Sequence, residues 1–252
     1  STSLKYYKRE DVQKAVIEHG RDKEVAARFN DMFGKRPDTL TYPNDVLELA
    51  KQGATSFHCS EELWTNPMIL VPQMEKKELD KQRKGWDLLI DIDCDVEDGS
   101  MDYQKIATEL IIRELKMHGV NAVTAKFSGN KGFHIAVPFE AFPKEVNGKN
   151  TKDLFPEAPK KVAFYLKERI KKELGGRILK LHTNNFAAVA QRAGKKIEEI
   201  KDKVEGDFES ETRQELKVDS FLVIDTLLIS SRHMYRMPYS MHEKSGLVSV
   251  PI

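Results

Sequence analysis

Apolar positions along the chain follow helical spacing in some stretches and form short continuous or alternating runs in others. One helix is predicted over residues 9–32, from apolar positions spaced for a single face: Val12, Val16, Ile17, Val25 and Phe29. A short helix is predicted to begin at Pro43, run through Ala50 and end at Gly53, because proline suits the first turn and glycine the end. Residues 54–57 follow as a predicted strand.

The clearest pattern begins at Trp86, where an apolar run predicts a strand over residues 86–93. Further elements are predicted in this order: a turn at 97–100, a helix at 101–118 capped by Gly119, a strand at 121–127, a glycine-rich turn at 128–132 and a strand at 133–139. The first strand is apolar on both faces, which is typical of a central strand covered on each side. The sequence therefore predicts an α/β (α+β) protein with a β-α-β-β unit like half of a ferredoxin-like or RNA-recognition-motif-like fold.

The pattern changes after residue 143. Residues 144–158 are predicted to be a loop, and residues 159–174 an amphipathic helix that ends at Gly175 and Gly176. Residues 195–217 are dense in Lys and Glu, which indicates a solvated helical face. We therefore expect a helical insertion at about 144–217 within one domain over residues 1–252, followed by an apolar run that ends at Asp225.

Composition limits the kinds of binding site that the chain can hold and indicates its location in the cell. The 252 residues hold 41 Lys+Arg and 40 Asp+Glu, so any surface for nucleic acid must be a local basic patch. The two cysteines, Cys59 and Cys94, form no Cys-x-x-Cys pair, so we predict neither a disulfide framework nor a structural zinc site. No signal peptide and no apolar run of about 20 residues is visible, so we expect a soluble cytoplasmic protein without membrane contact.

Two acids end the predicted strand at residues 86–93. Asp91 and Asp93 are two residues apart and therefore point to one face, and Asp95 is a further step of two. Carboxylates that close repel one another unless a cation lies between them. A solvated strand end is the simpler interpretation, but the apolar neighbours favour a divalent metal and metal-assisted phosphoryl chemistry.

A compact turn with a hydroxyl, a charge and a ring follows one helix later, at Ser128-Gly129-Asn130-Lys131-Gly132-Phe133-His134. Such a turn can present successive backbone N–H groups to an anion. It lacks the spacing of a Walker A loop, and by itself it also fits an ordinary hairpin turn. Together with the two acids, it suggests a clamp for a triphosphate facing a metal site.

A local basic patch follows Asp225. Residues 226–252 contain three Lys/Arg, two His and one acid, with aromatic residues between them. Arg and His donors suit phosphate oxygens, although a basic surface loop has the same composition. Asp225 adds the third carboxylate that a two-metal site requires.

These three segments together resemble the catalytic small subunit of archaeo-eukaryotic DNA primases, in the primase-polymerase superfamily. The strand with Asp91 and Asp93 resembles its first motif, residues 128–134 its Ser-Gly-x-x-Gly-x-His motif, and Asp225 its third-motif acid. Residues 232–252 resemble its C-terminal signature. The resemblance implies the primase-polymerase catalytic fold, with two Mg²⁺ or Mn²⁺ ions held by Asp91, Asp93 and Asp225. It also implies nucleotide contacts along the second and C-terminal motifs: Ser128, Gly129, Lys131, Gly132, His134, His233, Arg236 and His242.

The predicted function is therefore that of a nucleotidyltransferase, a DNA-directed RNA or DNA polymerase that makes short primers on single-stranded DNA from nucleoside triphosphates. The resemblance also implies a large primase subunit or an accessory domain as partner. Many family members carry a cysteine-rich zinc knuckle, which two distant cysteines cannot supply. Two alternatives remain open: a metal-dependent nuclease or phosphatase using the same acids, and a non-catalytic nucleic-acid-binding module with bases stacked on Phe127 and Phe133.

Overall fold

The computed structural model describes residues 1–94, 96, 99–205, 212–225 and 229–252. Asp95 and residues 97 and 98 of the turn predicted at 97–100 fall outside these residues. The α-helices are α1 Thr2–Tyr7, α2 Glu10–His19, α3 Pro43–Lys51, α4 Lys76–Gln82, α5 Asp102–Met117, α6 Glu157–Leu181 and α7 Phe186–Arg192. The first eight strands are β1 Val25–Phe29, β2 Met32–Phe33, β3 Ser56–Ser60, β4 Glu62–Trp64, β5 Arg83–Trp86, β6 Leu88–Cys94, β7 Thr124–Phe127 and β8 Phe133–Val137. The remaining strands are β9 Glu145–Val146, β10 Lys149–Asn150, β11 Lys201–Glu205, β12 Thr212–Leu216, β13 Leu222–Asp225 and β14 Met234–Arg236.

The central sheet has the strand order β13-β6-β8-β7, with every neighbouring pair antiparallel. Its β6-α5-β7-β8 portion is the predicted β-α-β-β unit, which is thereby confirmed. Leu88, Ile90 and Ile92 belong to an apolar cluster with α5 and α6, while Leu89 belongs to a second cluster on the opposite face. The strand is therefore covered on both sides, and its odd-numbered residues share the face that carries Asp91.

The flanking sheet has the order β14-β3-β1-β2. Phe57 and Cys59 on β3 pack into an apolar cluster with α1, α2 and α3, whereas His58 lies on the opposite face of the strand. That opposite face looks onto the cleft shared with the central sheet, since His58 and Arg236 line the cleft together with Asp91.

The predicted helix over residues 9–32 is wrong in its second half. The helix ends at His19 with Gly20 as its cap, and Val25–Phe29 forms β1. Val25 and Ala27 pack into the apolar cluster while Arg28 on the same strand does not, which is a period of two. Helical spacing across the break at Gly20 was coincidental.

The segment 144–217 contains helices, as predicted, but not only helices. α6 does not end at Gly175 and Gly176 but continues through both to Leu181. A Cβ on Gly175 would lie 3.4 Å from Leu216, at van der Waals contact, so β12 packs closely on the helix at this position. The predicted helical face at 195–217 is also wrong, because β11 and β12 form a hairpin there, with residues 206–211 outside the described residues.

Residues 222–252 add strands to both sheets. β13 pairs with β6 and β14 pairs with β3. The final residues then run beside β7, with Phe127 N–H donating to Val250 O at 2.8 Å and Ile252 N–H donating to Ala125 O at 3.0 Å. A buried ion pair anchors this segment further, since Arg83 contacts Glu62 at 2.8 Å and Glu62 accepts from Arg232 N–H at 2.6 Å. Across the described residues, no helix combines the length and apolar character needed to cross a bilayer.

Candidate active site

Strand register brings the three predicted acids to one cleft. Asp91 on β6 pairs with His134 of β8 on one side and with Asp225 of β13 on the other. Asp93 lies two residues further along β6, on the same face as predicted. All of these side chains line a cleft of about 270 Å³ between the two sheets.

Burial and the neighbouring carboxylates raise the affinity of Asp91 for a proton. The pKa of Asp91 rises to about 6, first because of burial in the cleft and then because of the negative charges of Asp93 and Asp225. Lys126 and His233 oppose this rise only in part. Within the described chain, no three His, Cys, Asp or Glu side chains already stand in the arrangement of a metal centre. The cleft therefore concentrates negative charge, although the three carboxylates are not arranged as a metal centre in the described structure.

The predicted phosphate turn lies directly against β6. A Cβ on Gly132 would lie 2.2 Å from the carbonyl oxygen of Ile92, so only glycine fits there. Gly129 has a φ of +96° and a Cβ there would lie 3.1 Å from Cβ of His242. These two glycines therefore allow the turn to sit between β6 and the C-terminal segment.

Hydrogen bonds hold the turn in shape. The Ser128 hydroxyl accepts from the backbone N–H of Gly132 at 3.2 Å and of Asn130 at 3.4 Å, so these donors point inward at Ser128. From the far side, the buried amide of Gln104 on α5 donates to Lys131 O at 2.8 Å and to Cys94 O at 3.1 Å. Gln104 thereby ties the turn to the end of the strand that carries the acids. The Lys131 side chain is exposed and lines the cleft.

His134 is a neutral ring beside the acids. Its Nε2 lies 3.4 Å from Oδ1 of Asp91, and burial with the nearby charge of Lys126 holds its pKa well below the usual range. Its Nδ1 is buried, and no hydrogen-bond partner for it occurs among the described residues.

The C-terminal residues divide into buried and open groups. Arg236 is buried, contacts Glu243 at 2.8 Å and donates to Met241 O at 2.7 Å. His242 is half-buried, and its Nδ1 accepts from the N–H groups of Lys244 at 3.2 Å and Ser245 at 3.3 Å. The proton of the neutral His242 ring therefore resides on Nε2, which makes that atom a hydrogen-bond donor. Arg236 acts mainly within the protein, whereas His242 is the better placed contact for a bound anion.

Two residues of β3 and its continuation line the cleft without having been predicted. Glu61 is buried, and its Oε1 lies 3.2 Å from Nδ1 of His233. Burial raises the pKa of Glu61 to about 7 against the opposing effect of His233. His58 also lines the cleft, and burial beside Arg236 holds its pKa well below the usual range. The alternation of Ser56, His58 and Ser60 with apolar residues was the signal that this strand has a polar face.

A larger cavity of about 560 Å³ lies behind His134 and Tyr235. It contains none of the three acids, which all lie in the smaller cleft. Chemistry that depends on Asp91, Asp93 and Asp225 is therefore assigned to the smaller cleft.

Eight of the predicted site positions line one cleft with Asp225, and the two predicted glycines shape the turn at its edge. The lining positions are Asp91, Asp93, Ser128, Lys131, His134, His233, Arg236 and His242.

Comparison with known proteins gives a match to a family model and matches to solved structures. The polymerase domain of ligase D from Mycobacterium tuberculosis, in a structure titled as a complex with DNA, has a TM-score of 0.57 and 14% identity. The match covers 99% of this chain and 79% of that one, and it shows a shared fold. No curated protein matches the sequence significantly. The family model described as DNA primase small subunit matches residues 90–252, which include every predicted motif. The chain therefore belongs to the DNA primase small subunit family and is a nucleotidyltransferase.

Proposed function

We propose that the chain makes short primers on single-stranded DNA from nucleoside triphosphates by template-directed nucleotidyl transfer. One observation carries this proposal. A single cleft brings the acids of β6 and β13 together with the 128–134 turn and the segment around β14. A polymerase needs this combination, because the acids serve the reacting oxygens and the cationic and N–H donors serve the triphosphate.

The donor set fits divalent metal ions. Burial, followed by the like charges of Asp93 and Asp225, raises the pKa of Asp91 to about 6, so a cation in the cleft would relieve the repulsion between these carboxylates. Asp91, Asp93 and Asp225 are the residues that would hold two Mg²⁺ or Mn²⁺ ions. Such ions, when bound, activate the attacking 3′-hydroxyl and stabilise the leaving pyrophosphate.

The chain's own residues have distinct tasks in this proposal. The exposed Lys131 and the Nε2–H donor of His242 bind triphosphate oxygens, while neutral His134 orients the carboxylate of Asp91. Arg236 holds Glu243 and the carbonyl of Met241, and so fixes the loop that carries His242. Ser128 maintains the turn by accepting hydrogen bonds from the N–H groups of Asn130 and Gly132. If a phosphate oxygen replaces the Ser128 hydroxyl as acceptor, the same two N–H groups donate to the phosphate.

The two alternative functions have less support. A nuclease or phosphatase uses a water nucleophile and has no use for a triphosphate clamp beside its acids. A base-binding sheet needs exposed aromatic rings, but Phe133 is buried in the core and Phe127 is half-buried. Carboxylates on the binding face would also repel a bound strand.

The proposal also covers a protein partner and the location of the chain in the cell. We propose a large primase subunit or an accessory domain as partner, on the basis of family membership. The proposed location is intracellular, in the cytoplasm, because a primase acts on a DNA template inside the cell.

The test is incubation of the protein with unprimed single-stranded DNA, labelled nucleotides and Mn²⁺ or Mg²⁺, with the products resolved by length. Parallel reactions with ribonucleotides and deoxynucleotides establish which sugar is used. Products that lengthen with time, and that an Asp91→Asn variant does not make, support the proposal. Shortening of the template supports the nuclease alternative, and tight binding of DNA without any product supports the binding module.

A further inference from the structure

An exposed aromatic ring lies on the rim of the candidate active site. Phe33 on β2 is 42% exposed, although β2 is an edge strand where a charged or polar residue is more usual. Its ring is in edge contact with the ring of His58, with centroids 5.2 Å apart. His58 lines the cleft that holds the acids, so Phe33 continues the wall of that cleft towards solvent.

Strand register shows that this ring is on the cleft side of the flanking sheet. Phe33 pairs with Arg28, and paired residues of adjacent strands point to the same face. Arg28 pairs with Ser56, which shares the face of His58, and His58 pairs with Arg236. The row from Arg236 to Phe33 crosses four strands, a distance of roughly 14 Å at about 4.8 Å per strand.

Two arginine side chains lie close to the Phe33 ring. The guanidinium carbons of Arg28 and Arg36 lie 5.1 Å and 6.0 Å from its centroid. The exposed Lys35 lies two residues after Phe33, and Asp31 is the one acid in the segment 28–36. Arg28 and Arg36 also contact Glu243 and Glu24, but Nε of Arg28 is buried without a hydrogen-bond partner among the described residues. An exposed ring with cations beside it is the arrangement that binds single-stranded nucleic acid, because bases stack on the ring and phosphates lie near the cations.

We infer that Phe33 is a stacking platform for a base of the single-stranded template, held at the rim of the cleft by the cationic hairpin of residues 28–36. This inference rests on the proposed function. The platform serves the template strand and not the incoming nucleotide, because Phe33 lies outside the cleft that Lys131 and His242 line. A strand that reaches the acids can pass over the exposed rim, whereas a single nucleotide bound by its triphosphate remains inside.

The experiment uses a tryptophan at this position as a direct reporter. The two natural tryptophans, Trp64 and Trp86, are fully buried, so Phe33→Trp adds the one ring that DNA can reach at the rim. Fluorescence of this variant is measured in EDTA during titration with oligothymidylate, with an abasic sugar-phosphate oligomer of equal length, and with thymidine triphosphate. Phe164→Trp is the matched control, because Phe164 is a 57% exposed phenylalanine on α6, which packs against the other face of the central sheet.

Oligothymidylate should quench the Phe33→Trp signal, whereas the abasic oligomer, the triphosphate and the Phe164→Trp control should show no quenching. Phe33→Ala and Phe33→Leu should each bind oligothymidylate about 5- to 150-fold more weakly, since leucine keeps apolar volume without a π-face. Their affinity for thymidine triphosphate should not change, and circular dichroism should confirm that both variants fold.

Contrary results separate this inference from the proposed function. If the wild-type chain makes primers but oligothymidylate does not change the fluorescence of the Phe33→Trp variant, the stacking inference is wrong and the proposed function stands. Quenching by the triphosphate alone assigns the ring to the incoming nucleotide and also overturns the inference. If the wild-type chain neither binds single-stranded DNA nor makes product, the proposed function fails and the platform fails with it.

Discussion

Asp91 and Asp225 occupy paired positions on adjacent antiparallel strands, so two carboxylates from distant parts of the sequence face each other across β6 and β13. Asp93 adds a third negative charge on the same face. This arrangement is unfavourable by itself and becomes favourable with a cation present.

The first prediction concerns activity. Asp91→Asn and Asp93→Asn should each lower nucleotide transfer by roughly 100-fold or more, because both remove charge from the place where the reacting oxygens are stabilised. Primer synthesis by equal amounts of folded protein measures this effect. The control is Glu168→Gln, which changes an exposed carboxylate on α6. If an Asp91/Asp93 double variant kept a tenth of the wild-type rate, the metal assignment would be wrong.

The second prediction concerns stability in buffer without divalent metal. The pKa of Asp91 is about 6 in the folded protein, against 3.8 for an unperturbed aspartate, so the folded state binds the proton of this group more tightly than the unfolded chain does. Stability from this group is fully present below pH 4 and is lost as the pH rises through 6. Because the side chain is 37% exposed, solvent screening reduces the effect to about 1 kcal/mol.

Thermal unfolding of wild-type protein and Asp91→Asn in EDTA, from pH 4 to pH 8, measures this difference. The variant should gain stability relative to wild type as the pH rises, and added Mg²⁺ should stabilise the wild type more. A constant difference across the pH range would contradict the raised pKa.

The third prediction separates nucleotide binding from template binding. Lys131→Ala should weaken triphosphate binding by about 10- to 150-fold, since a charge-assisted hydrogen bond contributes roughly 1.5–3 kcal/mol. Single-stranded DNA should be affected far less, because its contacts are spread over many phosphates. Paired titrations with labelled triphosphate and labelled DNA test this, with Lys116→Ala on α5 as an exposed control.

His134→Ala should also weaken triphosphate binding, through the loss of its contact with Asp91. Arg236→Ala is a less direct test, because it leaves Glu243 with one fewer cation in a buried network and should lower stability as well. A shift in the DNA titration without one in the triphosphate titration would make these residues a template groove.

The fourth prediction compares two glycines. Gly132→Ala should displace the turn or destabilise the protein, because the new methyl group would meet the backbone of Ile92 at 2.2 Å. Gly176→Ala should be neutral or stabilise α6 by up to about 1 kcal/mol, since no described atom beyond its chain neighbours and the helix's own backbone lies within 4 Å of its Cβ position. Chemical denaturation and triphosphate titration of both variants check this pair. Equal behaviour of the two variants would show that the turn does not depend on contact with β6.

The fifth prediction is that the protein binds no stoichiometric zinc. Cys59 and His58 are neighbours on β3 but point to opposite faces, one into the apolar cluster and one into the cleft. Cys94 is also buried, where its thiol donates to Phe221 O at 3.1 Å. Elemental analysis of protein purified without added metal should find well under one zinc per chain, and about one tightly held zinc would overturn this prediction.

Local patterns in the sequence predicted most of the residues that line the cleft, because these residues are concentrated in short motifs. Asp91 and Asp93 fall on one face by strand geometry alone, and Gly129 and Gly132 mark the turn that the structure confirms. The pairing of Asp225 with Asp91 is a long-range contact, and family resemblance, not local pattern, predicted their proximity.

The errors arose where tertiary contacts override local preference. Residues 25–29 had helical spacing, but pairing between β1 and β3 makes them a strand. Gly175 suggested a helix end, yet the helix continues through it and packs closely against Leu216 of β12. Glu61 and Gln104 were missed because their roles depend on partners that are distant in the sequence. Glu61 contacts His233. Gln104 donates to the carbonyl oxygens of Cys94 and Lys131.

The positions of β13 and β14 in the two sheets also determine when the cleft can form during synthesis of the chain. When a ribosome has synthesised the chain as far as residue 221, β6 and β3 each still present an open edge, and Asp91 has no carboxylate opposite it. The two sheets and the cleft between them are completed together, once residues 222–252 have left the exit tunnel. A nascent chain therefore lacks this cleft until residues 222–252 have emerged, and one interrupted at residue 221 would expose two strand edges that invite aggregation.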